Sequence, residues 1–389
     1  MPQPVYLDHD ATTPVRREVF EVMEPFYGPR FGNPSSVHRW GREARAALDE
    51  ARERVARCLG AHPDEVCFTS GGTEADNLAV LGPLRSQVEK GRRVILSTPI
   101  EHKAVLATVH HAAHDGVTER MLTVTKGGVV DLAANDVAID DSVAVCTVMW
   151  VNNEVGTIQP VPEIAERVKA RGGIMHTDAV QAFGKIDINV GKLGVDLLSI
   201  SGHKIGAPKG IGAMFIRRGI GIEPLLHGGT QDRGRRAGTE NVAAIVGLAR
   251  AAELAVAERE EDCTRLSAFR DRLEQALVAR IPDVVIHGRG APKRAPHILN
   301  VSVPGTDSES MLMALDLRGI ACSAGSACQS GSVNASHVLE AIGVPPELGN
   351  AAIRMSVGSL TTDAAIDRVA EVFPAVVNKV RGMSAAAAD

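Results

Sequence analysis

The chain has 389 residues, of which 44% are hydrophobic and 23% charged, with a net charge of -5. That length allows a large core and two or three domains. The mild acidity excludes the basic stripe of a nucleic-acid surface. Six cysteines without a CxxC pair exclude a disulfide framework and indicate neither a zinc nor a cluster site. A reducing, cytoplasmic compartment is therefore expected. The start, "MPQPVYLDHD", has no basic segment and no apolar run, so no signal peptide is expected. The most apolar stretch, "VAAIVGLARAAELAVA", is broken by Arg250 and Glu253, so no membrane span is expected.

In chain order, "SSVHRWGREARAALDEARERVARCLG" reads as a helix with a serine cap and Gly60 at its end. Strand-like runs then alternate with helix-like ones: 65–69, 92–99, 142–153, 173–179, 195–201 and 210–218. Such alternation predicts an α/β domain with a mostly parallel sheet. After Thr239 a long helical region to about residue 280 is expected to bridge to a smaller α+β unit. That unit holds "DVVIHG", "HILNVSVPG", a helix near 308–318, "GIACS", "AAIRMSVGS" and a last helix over 361–381.

Ligands of open parallel sheets sit beyond the carboxyl ends of the strands. Five polar stretches lie there, one of them "NNEVG" with Asn153 after residues 142–150. "TSGGTE" (69–74) is either a plain tight turn or an anion seat made by a helix N-terminus with Gly72 and Thr73. His102 either caps a helix or stacks on a flat ligand. Asp178 either caps or pairs with a protonated ring nitrogen, and Gln181 is placed to donate to a ring hydroxyl. In "SISGHKIGAPKGIG" (199–212), Lys204 follows a strand end beside Ser201 and His203. It is either a surface lysine or a Schiff-base lysine, which needs a confined site to lower its pKa.

Beyond that sheet, "GGTQDRGRRAGTEN" (228–241) is a surface loop or a reach toward a phosphate, including one on a neighbouring subunit. Thr239 there is also a possible helix cap. Arg354, inside an apolar strand-like run, wants a carboxylate partner. "SAGSACQSGS" (323–332) sets Cys328 among small residues, either as an incidental surface thiol or as a nucleophile that travels. A phosphate seat, a ring-nitrogen carboxylate, an aldehyde-capturing lysine, a stacking imidazole and a carboxylate-binding arginine together match pyridoxal 5'-phosphate carrying an amino acid.

The stretches "LDHDATTP", "SGGTEADN", "EHKAV", "NNEVGTIQP", "HTDAVQAFGK", "SGHKIGAPKGIGAMF", "RAGTEN", "GSACQSG", "SHVLEAIG" and "IRMSVG" resemble, in order, the motifs of the NifS/IscS-type cysteine desulfurases, from about residue 5 to 380. The resemblance implies a pyridoxal-phosphate-dependent fold type I homodimer. Its large domain would be 15–258. Its small domain would be 1–14 with 262–382, carrying a cysteine loop at about 322–335, and 383–389 would be a frayed tail. It further implies Lys204 as the Schiff-base lysine, Asp178 at the pyridine nitrogen, Gln181 at the ring hydroxyl and His102 on the ring face. Gly72, Thr73, Ser201 and His203 would hold the phosphate, with Thr239 from the other subunit. Asn153 and Arg354 would hold the substrate carboxylate. His102 is also a candidate base, Cys328 is the nucleophile, and no metal is implied. The implied reaction turns L-cysteine into L-alanine and leaves sulfur on Cys328 for a protein acceptor.

Selenocysteine lyase and class V aminotransferase share this implied fold; a non-catalytic sulfur-assembly partner would not need Lys204, Asp178 and Cys328. Two departures stand out. Asp10 replaces a usually small residue, and Asn334-Ala335 replaces a common Glu-Pro. The tail is also expected to lack an extended docking segment, leaving the acceptor open among iron–sulfur assembly, tRNA thiolation and cofactor synthesis.

Overall fold

The computed structural model describes residues 3–114, 116–324 and 336–386; Cys328, Asn334 and Ala335 lie outside the described residues. The centre is a seven-stranded sheet. Its order is Val66–Thr69, Gly212–Ile216, Leu197–Ser201, Ile174–Asp178, Val143–Thr147, Val94–Ser97, Thr118–Met121. The last five of these pair in parallel, while Gly212–Ile216 runs antiparallel to both neighbours. Helices cover both faces, so every residue of Ile174–Asp178 and Leu197–Ser201 is buried. The expected strands are present, each trimmed at one end or both. An unexpected one is added at the edge: "TERM" (118–121), half-exposed and without alternation, is held by its pairing to Val94–Ser97.

The helix Arg39–Leu59 places Ala44, Ala47, Leu48, Ala51, Val55 and Leu59 on one buried face. It packs there against Val242–Ala257. Gly60 closes it at φ +67°, as expected. Its start differs from expectation, because His38 and not a serine caps it, through Nδ1 accepting from the Gly41 N–H at 3.3 Å. The long helical region after Thr239 is two helices, Val242–Ala257 and Arg259–Arg280, which meet at Glu258. Asn241, not Thr239, caps the first. The last helix runs over Asp363–Ala386, beyond its expected end.

A second apolar cluster gathers Leu7, Phe269, Leu273, Leu299, Val301, Met311, Ile353, Val369 and Phe373. It surrounds an antiparallel sheet ordered Ala352–Ser356, Ile298–Ser302, Val285–Ile286. The chain's start is threaded into this region. Val5–Tyr6 pairs in parallel with Ile320–Ala321, and Asp8 bridges Ser356. That register carries residues 8–11 past Arg354 and toward the carboxyl ends of the central strands.

Candidate active site

At those carboxyl ends lies a cavity of about 350 Å³, within the roughly 300–1,000 Å³ usual for small-molecule sites. It is lined by Gly72, Thr73, His102, Asn153, Asp178, Gln181, Ser201, His203, Lys204 and Arg354, all expected from sequence. Thr239 is exposed and lines a different depression. Cys328 lies outside the described residues. Asp10, Asp76, Glu154 and His337 also line the cavity and were not expected to.

The first helix past a strand end begins at Gly72, with Gly71 at φ +156°, ψ -174° and no side chain capping it. Only glycine takes that backbone conformation readily. A Cβ on Gly72 would stand 2.8 Å from Val180 Cγ2, so helix start and cavity wall approach closely. The acidic residue of this turn, Glu74, is turned to the Ser70 N–H and Arg236. The uncapped helix start is therefore open to an anion.

His102 caps a helix, as one reading of its sequence context allowed, and it also lines the cavity. Its Nδ1 accepts from the Ala104 N–H at 3.1 Å, capping Lys103–Ala113, while the ring lines the cavity. Burial lowers its pKa, so the ring is neutral with its proton on Nε2. Asp178 accepts from the Val180 N–H at 2.8 Å. Burial raises its pKa against the pull of His102 and that N–H, as expected of a carboxylate awaiting a cationic partner. Asp76 is pushed well up by burial and by Asp178.

Lys204 ends the turn Gly202–Lys204 after a central strand. Its Nζ donates to Asp10 O at 2.5 Å and Ala11 O at 3.0 Å. Burial lowers its pKa, and Arg354 adds to this against Asp10. Gln181 also donates to Asp10 O, at 3.1 Å. Asn152 shapes the neighbouring turn by accepting from the Glu154 and Val155 N–H groups, which sets Asn153 on the wall. Arg354 Nη1 donates to Asn153 O at 3.0 Å, and Nη2 to Asp8 Oδ1 at 3.0 Å.

Both described flanks of 325–335 are fastened beside this cavity. Ser323 and Arg354 exchange backbone hydrogen bonds at 3.1 and 2.6 Å. Ser336 donates to Glu154, and His337 meets Glu101 O at 2.9 Å. The short helix His337–Ala341 is seated by Val338 and Leu339 against Ile100 and Val155. Cys322, just before the segment, packs on the second apolar cluster, and burial pushes its thiol up to about 12.

The aminotransferase class-V family model matches residues 5–369. A cysteine desulfurase IscS of Dictyoglomus turgidum is 44% identical over 384 residues, covering 99% of this chain and 97% of that protein. A cysteine desulfurase of Trichormus azollae is 47% identical over 380 residues, covering 98% and 94%. A solved NifS-like protein superposes with TM-score 0.90 at 37% identity, covering 97% of this chain and all of the other. The chain belongs to the class-V aminotransferase family, in its cysteine desulfurase branch. The central sheet is accordingly the mostly parallel mixed sheet of fold type I. The family is one of pyridoxal-phosphate-dependent enzymes, and the donor set of the cavity fits that group. An uncapped helix start is open to its phosphate, a buried carboxylate faces inward, and a lysine whose pKa burial lowers lines the same cavity.

Proposed function

We propose that the chain takes sulfur from L-cysteine, releases L-alanine and passes the sulfur through Cys328 to a protein acceptor. The observation that carries this reading is the convergence of Lys204, Asp178, His102, Asn153 and Arg354 on one cavity, with both flanks of 325–335 fastened to its rim. Bound pyridoxal 5'-phosphate would supply an electron sink that acidifies the substrate Cα–H and loosens the C–S bond. Gly72, Thr73, Ser201 and His203 would hold its phosphate, Asp178 its ring nitrogen, Gln181 its ring hydroxyl and His102 its face. Lys204 anchors it and, as a free amine, takes the Cα proton.

Arg354 and Asn153 fix the substrate carboxylate. The Cys328 thiolate forms an S–S bond to the substrate sulfur as the C–S bond breaks. The bond pair leaves with the carbon skeleton, which is protonated to alanine. The thiol proton goes to His102, once Nδ1 gives up its hydrogen bond from the Ala104 N–H, or to another base near the cofactor.

The largest apolar cluster, drawn from residues 19–252 with only Ala295 and Ile298 from beyond, and the second, drawn from Val5, Leu7 and residues 266–380, support reading residues 15–258 as the cofactor-binding domain and 1–14 with 262–382 as the second. Thr239, exposed and outside the cavity, supports a homodimer in which it reaches the partner's phosphate seat. The exposed apolar run of Tyr27, Phe31, Val37 and Trp40 supports the same assembly. No helix among the described residues is long and apolar enough to cross a membrane, and we place the enzyme in the cytoplasm with an iron–sulfur scaffold or sulfur carrier as acceptor. The test is incubation of the cofactor-loaded protein with L-cysteine and a reductant. Alanine and sulfide should appear in equal amounts, and absence of alanine refutes the reading.

A further inference from the structure

Arg354 is already occupied. Its guanidinium holds two carboxylates, Asp8 Oδ1 at 3.0 Å from Nη2 and Asp10 Oδ2 at 2.6 Å from Nη1. The two are held differently. Asp8 takes a directed hydrogen bond. Asp10 is 2% exposed, yet neither of its oxygens has an aligned hydrogen bond among the described residues. Its second oxygen faces His297 Nε2 at 3.8 Å, beyond hydrogen-bond reach. Charge alone holds this carboxylate. Its backbone, by contrast, is fixed, since Asp10 O receives Lys204 and Gln181 and its N–H donates to Ser356 Oγ at 2.8 Å.

Asp10 lines the cavity together with Lys204 and Arg354. On the reading of Arg354 as the substrate-carboxylate subsite, an incoming amino acid would set a third anion on one buried guanidinium. Like charges so placed oppose binding strongly. We propose that Asp10 is the resident anion of the substrate subsite: it holds Arg354 in the empty site and must yield Nη1 to the substrate's α-carboxylate. His297 marks where it turns, because its ring is buried, its Nδ1 has no hydrogen-bond partner among the described residues and its Nε2 already faces Asp10 Oδ1. Asp10 therefore sets how tightly carboxylate-bearing substrates bind, and it does so from outside the reacting atoms.

The test compares cofactor-loaded wild type with Asp10→Asn, Asp10→Ala and Arg354→Ala. Each is titrated with L-alanine and with ethylamine, the same skeleton without its carboxylate, and read by the cofactor's absorbance; KM and kcat for L-cysteine are measured in parallel. Asp10→Asn should tighten L-alanine binding by at least about tenfold and lower KM, while ethylamine binding stays as in wild type. Arg354→Ala should weaken L-alanine binding and spare ethylamine. Unchanged or weaker L-alanine binding in both Asp10 variants, with Arg354→Ala behaving as expected, overturns the role of Asp10 alone. Equal tightening of both ligands, or loss of cofactor from both Asp10 variants, overturns it too. If Arg354→Ala leaves L-alanine binding unchanged, the subsite reading itself falls.

Discussion

Replacing Gly72 by alanine would set a methyl carbon 2.8 Å from Val180 Cγ2, where carbon atoms ordinarily rest about 3.5–4.0 Å apart. The helix start or Val180 must therefore retreat by about an ångström. Either movement damages the proposed cofactor site. The first displaces the Gly72–Thr73 anion seat. The second moves the N–H that holds Asp178 Oδ1 at 2.8 Å. Overpacking of this size costs about 1–3 kcal/mol, so cofactor affinity should fall about 5- to 150-fold. Val180→Ala removes the struck atom, and the double variant Gly72→Ala/Val180→Ala should recover most of the loss, with a coupling of about 1 kcal/mol or more. Titration of the apo-protein with pyridoxal 5'-phosphate, followed by absorbance, measures all four corners of this cycle. Wild-type affinity in Gly72→Ala, or no recovery in the double variant, refutes the steric argument.

Lys204→Ala should bind the cofactor without covalent attachment, and borohydride should then fix no pyridoxyl group on the 204 peptide; a label elsewhere in the wild type refutes the assignment. Cys328→Ser should load cofactor and form no persulfide by peptide mass, whereas Cys322→Ser should stay active, because burial keeps its thiol protonated. Glu101 gives a pH prediction. Its buried carboxyl holds its proton up to about 8 against an ordinary 4.5, through burial. The folded state thus binds the extra proton, and this group's contribution to stability falls as pH rises through that window. Glu101→Gln should flatten the decline in urea midpoint between pH 5 and 8, and an unaltered slope refutes it.

Much of the site was legible because an α/β sheet puts its chemistry just past its strand ends. Thr73, His102, Asn153, Asp178 and Lys204 each follow an apolar β-rich run, so their convergence follows from the alternation itself. The edge strand at 118–121 was not legible, since "TERM" has neither alternation nor an apolar run and exists by pairing alone. The caps misled for a different reason. Ser, Thr, Asn and His side chains all satisfy a helix start, and which one lands there depends on where the chain enters, as His38 and Asn241 show.

The least legible feature is the clamp of Asp8 and Asp10 on Arg354, because its partners come from opposite ends of the chain. Two short pairings create it, Val5–Tyr6 with Ile320–Ala321 and Asp8 with Ser356. These set residues 8–12 beside the arginine, the lysine and His203 of the cavity. The same few residues then touch three functions at once: Asp10 O binds Lys204 and Gln181, its side chain pairs with Arg354, and Thr12 Oγ1 lies 3.2 Å from His203 Nδ1. The segment just after the N-terminal strand is thus a wall of the active site, anchored by Val5 and Leu7 in the second apolar cluster. A shift between the two apolar clusters would move Asp10 relative to Lys204 and change the grip on the substrate without altering any residue that follows a central strand.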